Sequence, residues 1–136
     1  MNNVREYKFR GKRIDNGEWV YGYYFIEERD IEDGIIWRDI PKIQQRYGDH
    51  FQYFDVDPNT VGQYTGWNDE NGKEIYEDDL VMVADYASWE GLYKVIWDEE
   101  NSMYMIEDAY GDREKLCEFE EYLVKGNIYE NPELLE

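Results

Sequence analysis

The tightest constraint on this chain lies between Thr60 and Val81, which reads TVGQYTGWNDENGKEIYEDDLV. A β-rich run from Thr60 to Thr65 leads into Gly66. A polar loop, Trp67 to Gly72, ends in Asn71-Gly72, a pair that tolerates positive φ at both central turn positions and so predicts a short hairpin. Lys73 to Tyr76 is the expected returning strand. The carboxylates Glu77, Asp78 and Asp79 then turn the chain into Leu80 to Val83. The pattern is strand, turn, strand, acidic corner, strand, and Gly66, Asn71, Gly72 and Asp79 are its expected structural residues, with Asp79 fixing the chain's path into the next strand.

The flanking segments continue in the same vein. Tyr7 and Phe9 alternate with Lys8 and Arg10, a half-buried strand pattern. After a turn at Asp15-Asn16-Gly17, residues Trp19, Tyr21, Tyr23 and Phe25 share one face of a strand, and Val20, Gly22, Tyr24 and Ile26 share the other. Two apolar faces imply burial on both sides or a subunit contact. Gly22 allows close approach of another backbone or ring. Glu27 to Asp33 reads as a loop or short helix, Gly34 to Trp37 as a short strand, and Ile40 to Ile43 as extended because of Pro41. Gln44 to Phe54 has no clear period, and Pro58-Asn59 reads as a turn. Further on, Asp85 to Gly91 reads as a loop, and Leu92 to Trp97 and Met103 to Ile106 form a second hairpin across the Asp98–Ser102 turn. Asp108 to Arg113 reads as a loop, and Leu116 to Val124 as a final strand or short helix. Asn131 before Pro132 and Glu133 begins a helical turn, which Leu134 and Leu135 would pin to the rest of the chain or to a neighbour.

The expected fold is therefore mainly β, α+β at most. Short strands at regular spacing suggest an N-terminal β-hairpin region over residues 1–55 and a small SH3-like barrel over residues 56–136, within one domain.

Composition narrows the function. Fourteen Tyr and five Trp among 136 residues favour pleated, half-buried surfaces and interfaces. From these, Tyr21, Tyr23, Tyr64 and Trp67 are the candidate interaction residues of a homo-oligomer. Net charge is −19, which repels phosphate backbones and anionic lipid, so direct nucleic-acid binding is disfavoured. An acidic surface that imitates DNA and occupies a DNA-binding protein is the alternative reading. With no long apolar run, no membrane span is expected, and the N-terminal residues lack a signal-peptide pattern. The single Cys117 allows no internal disulfide, fits a reducing cytoplasm, and is expected to be packed.

No catalytic constellation emerges. Asp55 and Asp57 imitate the start of a calcium loop. The loop then needs Gly where this chain has Thr60 and Glu where it has Gly66. The lone His50 has no second histidine to share a metal, and no cofactor is expected. A carboxylate- or metal-dependent hydrolase built on Asp55, Asp57 or the Glu77–Asp79 corner is the weakest reading, since a base, a nucleophile and a phosphate cradle are missing.

Two blocks carry a family resemblance. Gln63-Tyr64-Thr65-Gly66 with Asn71 to Glu77 and Asp79, and Gly126-Asn127-Ile128-Tyr129-Glu130-Asn131-Pro132-Glu133-Leu134-Leu135, resemble the signature of the YopX family of phage and prophage proteins. Tyr7 to Arg10 and Trp19 to Phe25 resemble its beginning. The resemblance implies a β-rich fold with an SH3-like barrel and a phage accessory protein of unassigned molecular function, and it transfers no catalytic residue. This chain departs from the pattern at Asp78, where the family has Gly, and at Lys125, where it favours an apolar residue. If residue 78 needs positive φ, Asp is among the more tolerable substitutes for Gly.

Overall fold

A computed structural model describes residues 6–31, 36–85, 88–119 and 121–135, with backbone alone at 29–31, 36–38, 85 and 88–90. The chain divides into two compact units, Met1–Gln63 and Tyr64–Glu136. Among the described residues strand predominates and helix is slight, so the fold is mainly β.

In the first unit β1 (Phe9–Lys12), β2 (Trp19–Ile31), β3 (Ile36–Tyr47) and β4 (His50–Asp55) form an antiparallel sheet in the order β4-β3-β2-β1. Beyond β1 lies the start of β5 (Gly62–Asn68), through Phe9↔Gln63 and Arg10↔Gly62. Side chains alternate across a strand, so the register sorts them by face. Tyr24, Ile43 and Phe54 lie side by side across three strands. With Val20 and Val56 they form the unit's core, against which Phe9 and Val61 also pack.

Gly22 marks a change of partner along β2. Its N-terminal half pairs with β1 up to Gly22, and its C-terminal half pairs with β3 from Tyr23 onward. A Cβ at Gly22 would lie 1.9 Å from the Gln44 carbonyl oxygen, so only glycine admits this approach. Pro41 lies within β3, and its carbonyl accepts the Val56 amide at 3.1 Å. A strand residue's N–H and C=O point to the same side. The missing Pro41 N–H therefore faces a position just beyond the β3–β4 ladder, which starts at Lys42↔Asp55.

Two expectations for this unit are corrected. Glu27 to Ile31 is neither loop nor helix but the continuation of β2, held in register from Glu27↔Ile40 to Ile31↔Ile36. Its charge density hides the pairing, because backbone pairing needs no apolar alternation. Asp33 and Gly34 lie outside the described residues. The stretch from Gln44 to Phe54, aperiodic in sequence, is a hairpin closed by the two-residue loop Gly48-Asp49. Gly48 has φ +58° while Asp49 does not enter the left-handed region, the pattern of a type II′ turn.

In the second unit the rest of β5 pairs with β6 (Glu74–Tyr76). A five-stranded antiparallel sheet follows, with β7 (Asp79–Asp85), β8 (Ser88–Asp98), β9 (Met103–Glu107), β10 (Arg113–Lys115) and β11 (Glu121–Asn127) in the order β10-β9-β8-β7-β11. Its core is Ile75, Val81, Val83, Val95, Ile106, Leu116 and Tyr122. Burial pushes the Tyr122 phenol up to about 12, against the hydrogen bond it accepts from the Phe119 amide. A 3₁₀ turn, Pro132–Leu135, follows. Among the described residues the sheet does not close into a barrel. Strand spacing predicts hairpins, but it does not say whether the outermost strands meet. The expected loop from Asp85 to Gly91 is corrected where it is described, because β7 and β8 run on to Asp85↔Ser88; residues 86 and 87 lie outside the described residues. The uncertain segment before Val124 resolves as strand from Glu121.

Candidate interaction surface

The face of the first sheet opposite its core is built from three rows. Phe25, Lys42 and Asp55 lie side by side, then Tyr23, Gln44 and Tyr53, with Arg46 beside Phe51 in the third. Tyr23 is 61% exposed, Tyr53 55% and Phe51 49%. Phe25 meets Tyr53 edge-on at 6.0 Å between ring centroids, and Gln44 Nε2 donates to the Tyr53 hydroxyl at 3.3 Å. Lys42 ends the patch, bridging Asp55 at 2.9 Å and Glu27 at 3.2 Å. Its hydrogen bond to Asp55, and then that to Glu27, hold its ammonium above the ordinary lysine range. One side of this face opens as a groove of about 970 Å³ lined by Tyr7, Tyr21, Tyr23, Gln44, Arg46 and Phe51. Isolated exposed rings are ordinary on a protein surface, but a contiguous aromatic patch marks a contact site.

Three further cations of this unit, Arg10, Lys12 and Arg13, lie over rings. Arg10 is buried with its guanidinium 4.5 Å from the centre of the Trp19 ring, and the Lys12 ammonium lies 5.3 Å from it. Arg13 stacks on Phe54 at 4.5 Å and bonds Asp15 at 2.6 and 2.9 Å. The half-buried alternation expected for Tyr7 to Arg10 is thereby inverted at its charged end: Tyr7 is exposed and Arg10 is inside. A guanidinium laid flat on an indole can be buried in a way hydropathy does not anticipate.

The four candidate interaction residues separate. Tyr21 and Tyr23 line the groove. Trp67 is exposed in the second unit. Tyr64 is only 7% exposed, tilted against Tyr76 at 5.6 Å between ring centroids with its hydroxyl donating to Asn68, so it holds β5 to β6 inside this chain. Phe51 and Tyr53, the centre of the patch, do not stand out in the sequence. The signal that finds them is the Tyr47-Gly48-Asp49-His50 turn, which turns an aperiodic segment into a hairpin.

The carboxylates of the second unit do different work. Asp69 is buried. Its Oδ1 accepts the amides of Asn71 and Lys73 and its Oδ2 that of Val124, at 2.9 to 3.0 Å. The loop runs Asp69 to Lys73, with Gly72 at φ +82°. Asn71 does not enter the left-handed region, so the expected two-residue Asn71-Gly72 turn is corrected to a longer loop closed by a carboxylate and a glycine. The same device recurs at Asp108, which accepts the amides of Tyr110 and Asp112 and is followed by Gly111 at φ +87°. The repeated spacing Asp-x-x-Gly, at Asp69 and at Asp108, is the sequence signal for it. Gly66 takes φ +90°. Asp79 is buried, and its Oδ2 accepts the Tyr76 amide at 2.8 Å. The Asp98 carboxylate is held below the usual range by the Asn101 side chain, then by the backbone amides of Glu100 and Asn101 and by Arg113.

Asp78, in the family's glycine position, has φ +69° and accepts the Tyr129 hydroxyl at 2.6 Å. Asn131 reaches back to accept the Asn127 amide at 3.2 Å, and a Cβ on Gly126 would lie 2.3 Å from its Oδ1. Leu134 and Leu135 are both exposed and belong to neither buried cluster. Cys117 is exposed rather than packed, because the turn after β10 buries its neighbour Leu116 instead. His50 is exposed at the start of β4. Among the described residues no three His, Cys, Asp or Glu side chains converge as metal ligands, and no helix is long and apolar enough to cross a membrane.

The sequence profile of the family described as YopX protein matches residues 8–136. Among solved structures, the crystal structure of protein EF1440 from Enterococcus faecalis is similar, at 22% sequence identity and a TM-score of 0.53, over 98% of this chain and 100% of that one. That likeness concerns the fold. No functionally curated protein matches.

Proposed function

The chain belongs to the YopX protein family, and from that premise we propose that it is a phage- or prophage-encoded accessory protein of the bacterial cytoplasm, a non-catalytic module that acts by protein contacts and associates with itself. One observation carries this reading: the exposed aromatic face of β2, β3 and β4, centred on Tyr23, Phe51 and Tyr53. Covering the open half of four such rings removes on the order of 400 Å² of apolar surface, about 10 kcal/mol gross. Association costs roughly 4–15 kcal/mol. One copy of the face is therefore marginal, whereas a symmetric contact supplies it twice.

The acidic-mimic reading is weaker. It needs rows of outward carboxylates, and Asp69, Asp79 and Asp98 are buried and turned toward backbone amides or neighbouring side chains. The hydrolase reading is weaker still, since Asp79 of the acidic corner binds the Tyr76 amide and Asp78 the Tyr129 hydroxyl.

The test is mass in solution, by light scattering on a sizing column at low and high salt. The reading expects an oligomer that survives high salt, because aromatic burial is not screened. A monomer at every salt concentration defeats self-association and shifts the weight to the acidic surface.

A further inference from the structure

Resting on that self-association, we infer that the free edge of β4 is where two copies join, β4 against β4, antiparallel about a twofold axis through Gln52. β4 is the outer strand of its sheet. The two-residue loop makes Tyr47↔His50, Gln45↔Gln52 and Ile43↔Phe54 the hydrogen-bonded pairs of the hairpin. The backbone groups of Phe51 and Tyr53 therefore point outward, and among the described residues nothing in this chain meets them. The Asp55 carbonyl, which points the same way, is taken by the Ile14 amide at 3.0 Å.

The outer strands of the other sheet are guarded in ways that β4 is not. β10 is three residues long and reads Arg-Glu-Lys. β11 carries Lys125 and a register shift between Val124 and Gly126. Short length, charge and bulges are the usual defences of a sheet edge. From His50 to Phe54 the β4 sequence is HFQYF, with no Lys, Pro, carboxylate or bulge.

Three features make a second copy the occupant. The outward groups sit at Phe51 and Tyr53, symmetric about Gln52, so one twofold axis satisfies all four at once. The same register sets Phe51 beside Tyr53 of the second copy, twice, and extends one ring ladder across the join. Charge also favours it: residues 1–63 carry a formal −3 and residues 64–136 a formal −16. Two copies of an acidic chain repel least where the first units meet.

The test is a cysteine cross-link. Gln52→Cys in a Cys117→Ser background places two thiols at a directly opposed, non-hydrogen-bonded pair, where Cα atoms are about 4.5 Å apart and a disulfide closes. Mild oxidation should convert most of the chain to a covalent dimer, and Tyr110→Cys in the same background should stay largely monomeric. In parallel, Tyr53→Pro removes an outward amide without removing a hydrogen bond of the β3–β4 ladder, and should reduce the mass to monomer with an unchanged circular dichroism spectrum. If the wild type is oligomeric but the Gln52→Cys variant does not cross-link, this edge is not the join, and self-association stands through another surface. A wild type that is monomeric throughout overturns both ideas. An edge reserved for a strand of a different protein would give that monomeric result. If Tyr53→Pro fails to fold, the cross-link alone decides.

Discussion

Twelve aromatic residues stand in residues 1–63 and twelve in residues 64–136, yet the two units use them differently. In the first, Tyr7, Tyr21, Tyr23, Tyr47, Phe51 and Tyr53 are exposed, and the buried cluster is Val20, Ile43 and Val56. In the second, the buried cluster has seven members, and among the described residues the exposed rings are Trp67, Trp97 and Tyr110. Charge runs the other way. The first unit has nine basic and twelve acidic residues, with Arg10, Lys12 and Arg13 laid over rings. The second has five and twenty-one, and several of its acids are spent on turns. Net charge is thus a poor guide to this surface. The acid-rich unit is the better packed of the two, and the nearly balanced unit is the one that exposes its rings.

The sharpest test of that contrast is core truncation. Ile106→Ala removes a side chain packed within seven buried residues and should cost about 4 kcal/mol. Ile43→Ala, in a cluster of three rimmed by partly exposed rings that can settle into the gap, should cost about 2 kcal/mol. Urea unfolding of both variants measures the difference, and equal losses would break the contrast. Next comes Gly22→Ala, expected to cost about 2–3 kcal/mol because its methyl carbon meets the backbone of Gln44 rather than a side chain that can move. Gly72→Ala meets nothing within 4 Å and should lose only about 1 kcal/mol, the strain of an L-residue at positive φ.

These residues also show what can be read from sequence and what cannot. Gly22 and the β1–β2 hairpin follow from two-residue periodicity and turn chemistry, local properties that a strand keeps in any context. The strand order from Thr60 to Val81 follows for the same reason, although its turn is a longer loop than the Asn71-Gly72 pair predicts. The charged run Glu27 to Ile31 does not look like a strand, because its pairing with β3 is a tertiary decision. Barrel closure is equally out of reach, since it depends on whether outer strands meet. The aromatic patch is half legible. Tyr23 stands out by alternation, whereas Phe51 and Tyr53 need the Gly48-Asp49 turn. Buried Tyr64 carries the same side chain as exposed Tyr23, and only three-dimensional context separates them.

Turn carboxylates supply the next prediction. Asp69→Ala deprives the Asn71, Lys73 and Val124 amides of their acceptor and should cost about 2 kcal/mol. Asp98→Asn should do less, with a pH signature. Because the folded state holds the Asp98 carboxylate below its usual range, its contribution is present above the unfolded value near 4 and is lost as pH falls through the lower folded value. Wild type and variant should therefore differ at pH 7 and converge in acid. Parallel curves in thermal melts across that range would mean that Asp98 acts by shape, not charge.

The smallest expected effect is the most diagnostic, because opposing terms meet at Asp78. Restoring the family's residue, Asp78→Gly, relieves a left-handed conformation that costs an ordinary L-residue about 1–2 kcal/mol, and Asp rather less. Glycine gives back about 0.4–1 kcal/mol through a freer unfolded chain. The variant also loses the acceptor of the Tyr129 hydroxyl, a half-buried hydrogen bond to a charged group worth about 1.5–3 kcal/mol. The net should be a loss of about 1 kcal/mol, and Asp78→Asn, which keeps both an acceptor and tolerance of positive φ, should be close to neutral. A double-mutant cycle with Tyr129→Phe separates the terms. If the carboxylate is a working latch between the acidic corner and the C-terminal turn, Tyr129→Phe costs stability in the wild type and nothing in Asp78→Gly. If Tyr129→Phe costs the same in both backgrounds, Asp78 is there for its backbone alone, and the view that this unit spends its acids on fixing its own chain loses one of its supports.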